Sequence, residues 1–170
     1  MKKQTLILLT LFLSQIIFAQ KQDNTWDYPI RPGTEKWKEL DSYEKRLNAY
    51  NISDSILSTM STSVLVTTCL NYPEFRLIMT RNSLQIGFDY LKSIFNGFNE
   101  LEKRTDSGKE LIKLYETMEP QKIIQHDIPS KRGAFSFQFT CIELIMAQSG
   151  IQKNLSKEDI LHFFEIYIKN

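Results

Sequence analysis

Three side chains near the C-terminus have the spacing of a cluster on one face of a helix. Glu158, His162 and Glu165 are four and three positions apart, so a helix would align them. Imidazole and carboxylate groups are ligands that transition metals accept, but a second element would have to complete the set. We expect an exposed, salt-bridged strip here, with a metal site as the alternative.

Two other groups could do acid–base chemistry if a cleft held them. Glu143 lies inside the most apolar segment of the chain, where a carboxylate must reach solvent or find a donor. His126 and Asp127 are neighbours in a connector and are more typical of a solvated loop pair. An enzyme of unfamiliar type would bring Glu143, His126 and His162 into one cleft, and that is the weakest of our hypotheses.

One short motif resembles a serine nucleophile signature. Ser42 to Lys45 reads S-x-x-K, but the companion strings S-D-N and K-T-G do not occur in the sequence. The metalloprotease, thioredoxin-type, nucleophile-elbow and phosphate-loop strings do not occur either. We therefore interpret Ser42 as a helix cap, assign no catalytic residue and expect no cofactor.

An N-terminal arm carries the residue types that dominate interaction hot spots. The candidate binding residues are Trp26, Tyr28, Arg31 and Trp37. The alternative is that the arm docks on its own domain.

The two cysteines, Cys69 and Cys141, each lie on the apolar side of a predicted helix. We favour buried free thiols for this pair. A disulfide is the alternative, since export would allow it.

The first residues predict export. Lys2 and Lys3 precede an apolar run and a small-residue boundary at Ala19, which indicates a signal peptide over residues 1–19. Cleavage would leave 151 residues, enough for one domain, in the periplasm or outside the cell, with no membrane span remaining. Loss of two lysines changes the formal charge from +1 to −1, which argues against a nucleic-acid partner.

The rest of the chain predicts an extended arm over residues 20–33 and an all-α domain over residues 34–170. We expect about seven to nine short helices. Ser61 or Thr62 should cap one that ends at Pro73. Residues 134–141 alternate like a strand, but their apolar continuation favours a helix.

Finer expectations concern helix faces. Gly87 should mark a close contact between helices, and Gly97 should end a helix in the left-handed region. A capping box from Ser156 to Asp159 should begin the last helix. Its predicted core face comprises Ile160, Leu161, Phe164, Tyr167 and Ile168.

Two segments look alike. Residues 52–73 and 98–120 each hold a short helix, a Ser/Thr cap, a second helix and a proline. The prolines are 47 residues apart, near the period of HEAT-type repeats. A helical-hairpin array and an irregular bundle both fit this pattern.

The chain also resembles a family of secreted bacterial proteins of helical fold with no established activity. The matching motifs cover most of the predicted mature chain: Tyr28-Pro29-Ile30, Pro32-Gly33-Thr34, Trp37 to Leu40, Thr68 to Pro73, Phe95 to Phe98, Glu100-Leu101, Arg104, Asp106, Gly108, Ile142 to Leu144, and Ala147-Gln148. The resemblance implies secretion and a helical fold, and no site residue.

For function, the absence of a catalytic motif favours a non-enzymatic interaction module for a protein or peptide. A carrier for a small apolar ligand or peptide is the alternative. The module predicts an exposed apolar patch, whereas the carrier predicts an internal apolar pocket.

Overall fold

A computed structural model describes residues 26–119 and 128–169, without the side chain of Lys169. All regular structure in these ranges is helical, which confirms the all-α prediction. The helices are α1 (Glu35–Lys38), α2 (Tyr43–Asn48), α3 (Asp54–Thr59), α4 (Thr62–Leu70), a 3₁₀ helix (Phe75–Thr80), α5 (Leu84–Ile94), α6 (Asn96–Lys103), α7 (Ser107–Glu116), α8 (Pro129–Met146), α9 (Ser149–Gln152) and α10 (Lys157–Lys169). The predicted signal peptide and the connector with His126 lie outside the described residues.

The described helices outnumber the seven to nine that we expected. The excess includes the very short α9, of four residues. Such short turns leave almost no periodic pattern in a sequence, because fewer than two helical turns are formed. The predicted fold class is therefore right, while its element count was too low.

Local signals set several helix ends as predicted. The Ser61 hydroxyl accepts a hydrogen bond from the Val64 amide and caps α4, which ends before Pro73. Residues 134–141 lie within α8, so the ambiguous segment is a helix. Gly97 was predicted wrongly: it lies in the first turn of α6, and among the described residues only Gly33 has a positive φ.

Three pairs of consecutive helices, which we call hairpins, stack in order along the domain. The first hairpin is α3–α4, the second is α6–α7 and the third is α9–α10. Helices α6 and α7 pack against α4 on one side, and α9 and α10 pack against α6 and α7 on the other. Two of these pairs are the look-alike segments of the sequence, and we call the row of three pairs the array.

Polar contacts join the first two hairpins at matching positions. The Arg104 guanidinium donates to the carbonyl oxygens of Leu57 and Met60, both at 2.6 Å. The Thr62 hydroxyl donates to the Asp106 carboxylate at 2.9 Å, which places the starts of α4 and α7 side by side. The two hairpins therefore run in the same direction.

Two inserted segments complete the core. The 3₁₀ helix packs on α5, and Gly87 permits the contact: a Cβ there would lie 2.3 Å from the Ile78 carbonyl oxygen. The predicted close approach at Gly87 is thus confirmed. Helix α8 packs against α4, α5, α7 and α9, so it joins the inserted segment to all three hairpins.

The last helix corrects the sequence prediction most strongly. Phe163 and Ile166 pack against the core, while the predicted core face of α10 is exposed. That face was assigned from periodicity, but α10 is apolar around most of its circumference, so two different stripes fit a 3.6-residue period. Tertiary packing selects the stripe with Phe163.

Candidate functional site

The outer face of α10 presents five large apolar side chains to solvent. They are Ile160 (37% exposed), Leu161 (53%), Phe164 (53%), Tyr167 (50%) and Ile168 (80%). At 100° per residue, Leu161, Phe164 and Ile168 form the centre of this outer face, roughly opposite the core-facing Phe163 and Ile166. No α10 residue with a described side chain is fully buried.

A groove runs beside the outer face, between α8 and α10. Its volume is about 310 Å³. The lining comes from α8, α9, α10 and the loop between the last two: Glu143, Met146, Ala147, Gln152, Leu155, Ile160, Phe163 and Phe164. Ile160 and Phe164 belong to both features, so the groove and the outer face form one continuous apolar surface.

Glu143 is the one carboxylate among the groove residues. The Tyr115 hydroxyl donates a hydrogen bond to its Oε1 at 2.7 Å. Burial raises the pKa of Tyr115, and the bond to Glu143 raises it further, so the phenol remains a donor at neutral pH. Within the described residues Glu143 forms no ion pair, so its negative charge is not neutralised there.

The opposite edge of α10 is acidic. Glu158 and Glu165 are exposed and form no ion pair with any residue that the structure describes. His162 lies on the same edge, with its Nε2 2.6 Å from Oε1 of Glu116 on α7. In residues 26–119 and 128–169, no three His, Cys, Asp or Glu side chains are grouped as metal ligands. The sequence candidate Glu158, His162 and Glu165 thus forms an acidic edge, with His162 turned toward α7.

A capping box holds the start of α10, as the sequence predicted. The Ser156 amide donates to the Asp159 carboxylate, and the Asp159 amide donates to the Ser156 hydroxyl, both at 3.0 Å. The first of these bonds lowers the pKa of Asp159, and Lys109 on α7 lowers it further from 3.7 Å. The site's main helix is thereby anchored at its N-terminus.

The N-terminal arm is docked on the domain. The Tyr28 hydroxyl donates to the Thr68 carbonyl oxygen at 3.1 Å, and its ring meets Tyr50 edge-on. Trp37 packs on Tyr50, and Trp26 packs against the core. Arg31 is exposed and pairs with Asp27. The candidate binding residues of the arm are therefore largely committed to contacts within the protein.

Cys69 and Cys141 are both buried free thiols. Burial raises the pKa of Cys141 to about 12 and raises that of Cys69 as well. Neither thiol is therefore a nucleophile at neutral pH in the folded protein.

The remaining candidates that the structure describes lie apart from one another. The Ser42 hydroxyl accepts from the Lys45 amide at 3.2 Å and caps α2. Glu143 lies in the groove, whereas His162 lies on the other edge of α10. His126 lies outside the described residues.

Sequence reasoning missed the outer face because it placed those residues in the core. The signal that could have identified it is the number of apolar positions on α10. Seven large apolar residues in one terminal helix exceed what a single buried stripe needs.

Comparison with known proteins finds no match among protein-family models, curated proteins or solved structures. No enzyme family is therefore indicated for this chain. Within the described part of the chain, every helix is too short or too polar to cross a membrane.

Proposed function

We propose that this protein is a secreted, non-enzymatic interaction module that binds a protein or peptide through the outer face of α10. The observation that carries the proposal is the exposure of five large apolar side chains on one helix face. Their exposed surface is on the order of 500 Å², which equals the largest apolar patch on a typical monomer, and such patches are often functional.

The composition of the outer face supports an interface. Phe164 and Tyr167 are aromatic, and aromatic side chains are enriched at the centres of protein interfaces. The groove lies directly beside them, so a partner could insert a side chain there while covering the face. Acidic residues border the face, which matches the polar rim that interfaces usually have.

A photo-crosslinking amino acid at position 164 tests this proposal in the native host. The matched control places the same amino acid at Ser58, an exposed position on α3. We expect a discrete crosslinked product, identified by mass spectrometry, from position 164 and none from position 58. The absence of a product at 164, or the same products from both positions, would contradict the proposal.

A carrier for a small apolar ligand is the second candidate, and the groove favours it. A volume of about 310 Å³ is at the lower limit for ligand pockets, which usually measure about 300–1,000 Å³. Native mass spectrometry of the exported protein distinguishes the two functions. A carrier would retain a ligand mass that disappears on denaturation, whereas the interaction module would show the bare chain.

A further inference from the structure

Resting on the proposed function, the structure also indicates the chemistry of the partner. We infer that the outer face of α10 receives an amphipathic helix of another protein, with an apolar stripe flanked by lysine or arginine.

The array is open at its third hairpin. Helix α7 lies between α4 and α10 and has neighbours on both sides, whereas α10 is packed through Asp159, His162 and Phe163 on one side only. Stacked helical units bury their apolar faces against the next unit. A helix laid along Leu161, Phe164 and Ile168 would therefore continue the packing already present in the protein.

Carboxylates lie on both sides of the face, and Lys157 lies at its N-terminal end. Glu158 and Glu165 lie along one side of the central stripe, and Glu143 lies in the groove on the other. None of the three forms an ion pair with a described residue. Lys157, in the first turn, is the one cation of α10 whose side chain is described. A helix with basic residues on its flanks would neutralise these carboxylates, whereas an acidic one would be repelled.

A second copy fits this face poorly in an antiparallel pair. Two copies of α10 would bring the edge with Glu158 and Glu165 against the same edge of the other copy, so like charges would meet.

Head-to-tail stacking of copies lacks an apolar counterpart. The first hairpin has only polar residues at the exposed positions of α3 and α4: Asp54, Ser55, Ser58, Thr59 and Ser63. An apolar helix face gains little by covering hydroxyl groups, which prefer water. The outer face of α10 therefore has no complement at the other end of the array.

A displayed peptide library tests the inference. The probe is a helical peptide of about 14 residues, similar in length to α10, with leucine fixed at i, i+3, i+4 and i+7. The flanking positions vary among Lys, Gln and Glu. We expect selection on the purified protein to enrich Lys over Glu at the flanks by about tenfold, and added salt to weaken that preference.

Three variants make the selection specific. Glu158→Gln with Glu165→Gln removes two exposed carboxylates without breaking a described ion pair. It should markedly reduce the Lys preference, with Glu143 left in place, while peptides still bind. Glu39→Gln with Glu44→Gln is the matched control, since both glutamates are exposed on or beside α1 and α2, and should change nothing. Phe164→Ser should abolish binding of every peptide.

The outcomes separate this inference from the proposed function. Binding that depends on Phe164 but shows no Lys preference, or a preference that is unchanged in the Glu158/Glu165 variant, overturns the inference and leaves the interaction module standing. Failure of Phe164-dependent binding overturns both. A dimer in sedimentation that Phe164→Ser abolishes would identify a second copy as the occupant and also overturn the inference.

Discussion

The first and third hairpins are the two ends of one array, and they meet solvent in opposite ways. The exposed positions of α3 and α4 carry Asp, Ser and Thr, whereas those of α10 include five large apolar residues. Repeat proteins usually finish both ends with polar capping surfaces, because an exposed stacking face lowers solubility. The difference agrees with the proposal that the outer face of α10 receives another molecule.

The contacts between the first and second hairpins also differ from those between the second and third in their exposure to solvent. The first junction includes partly buried hydrogen bonds from Arg104 to backbone carbonyls. At the second junction, α10 contacts α7 through the exposed pair of His162 and Glu116, through Lys109 with Asp159, and through the ring contact of Phe163 with Tyr115. The polar contacts of the second junction are therefore more exposed to solvent than those of the first.

The largest expected effect is on stability, and it distinguishes a substitution on the buried α7 from one on the exposed face of α10. Leu111 of α7 is fully buried, so Leu111→Ala should lower the free energy of unfolding by about 2–5 kcal/mol. Phe164→Ala on α10 should cost less than about 1 kcal/mol, because that side chain is 53% exposed. Urea unfolding of both variants measures the difference. A similar loss for the two would mean that Phe164 is buried in the free protein.

The next comparison concerns the junctions. Arg104→Ala should cost about 2–3 kcal/mol, because the carbonyl oxygens of Leu57 and Met60 would lose a charged donor. His162→Gln should cost about 0–1 kcal/mol, since His162 and its partner Glu116 are both well exposed. The same urea measurement checks both values. A larger cost at His162 would contradict the greater exposure of the second junction.

Alanine substitutions at two glycines should change the stability of the protein in opposite directions. Gly87→Ala should destabilise the protein by about 1–3 kcal/mol, because the added carbon overlaps the backbone of Ile78. Gly133, in α8, has open space where a Cβ would lie, with no atom within 4 Å, so Gly133→Ala should stabilise the helix by up to about 1 kcal/mol. Thermal unfolding gives both signs. A neutral Gly87→Ala would mean that the 3₁₀ helix does not pack as described.

The smallest effect concerns pH and the start of α10. The folded state lowers the pKa of Asp159, so this carboxylate contributes stability that is present above its unfolded pKa of about 3.9. That contribution is lost as the pH falls through the lower folded value. Asp159→Asn should therefore make the stability of α10 less sensitive to acid. Hydrogen exchange of the α10 amides, measured between neutral pH and about pH 3, follows that stability. Identical pH profiles would contradict the described cap.

Local sequence signals predicted the parts of the fold that depend on local physics. The cap at Ser61, the stop before Pro73 and the helix over residues 134–141 follow from backbone geometry and apolar spacing. The close contact at Gly87 could be predicted because a glycine inside a helix lowers its stability and usually permits close packing.

The candidate site could not be predicted, because it depends on what covers a helix. Periodicity shows which residues of α10 share a face, but only tertiary packing decides whether Phe163 or Phe164 turns inward. The third hairpin was missed for a similar reason, since α9 is too short to leave a pattern. Sequence left two roles open for the arm, because residues such as Tyr28 and Trp37 are equally suited to binding a partner and to packing within the protein, where the structure places them.

Hydroxyl-radical footprinting of the purified protein is the decisive test of whether the outer face of α10 is open to solvent, because it compares two adjacent phenylalanines on that helix. Phe164 is exposed and Phe163 is packed against Tyr115. We expect Phe164 to be oxidised several times faster than Phe163 in the free protein, and a bound helical peptide to protect Phe164. Equal oxidation of the two, or protection of Phe164 in the free monomer, would show that the outer face of α10 is closed and is not the binding surface.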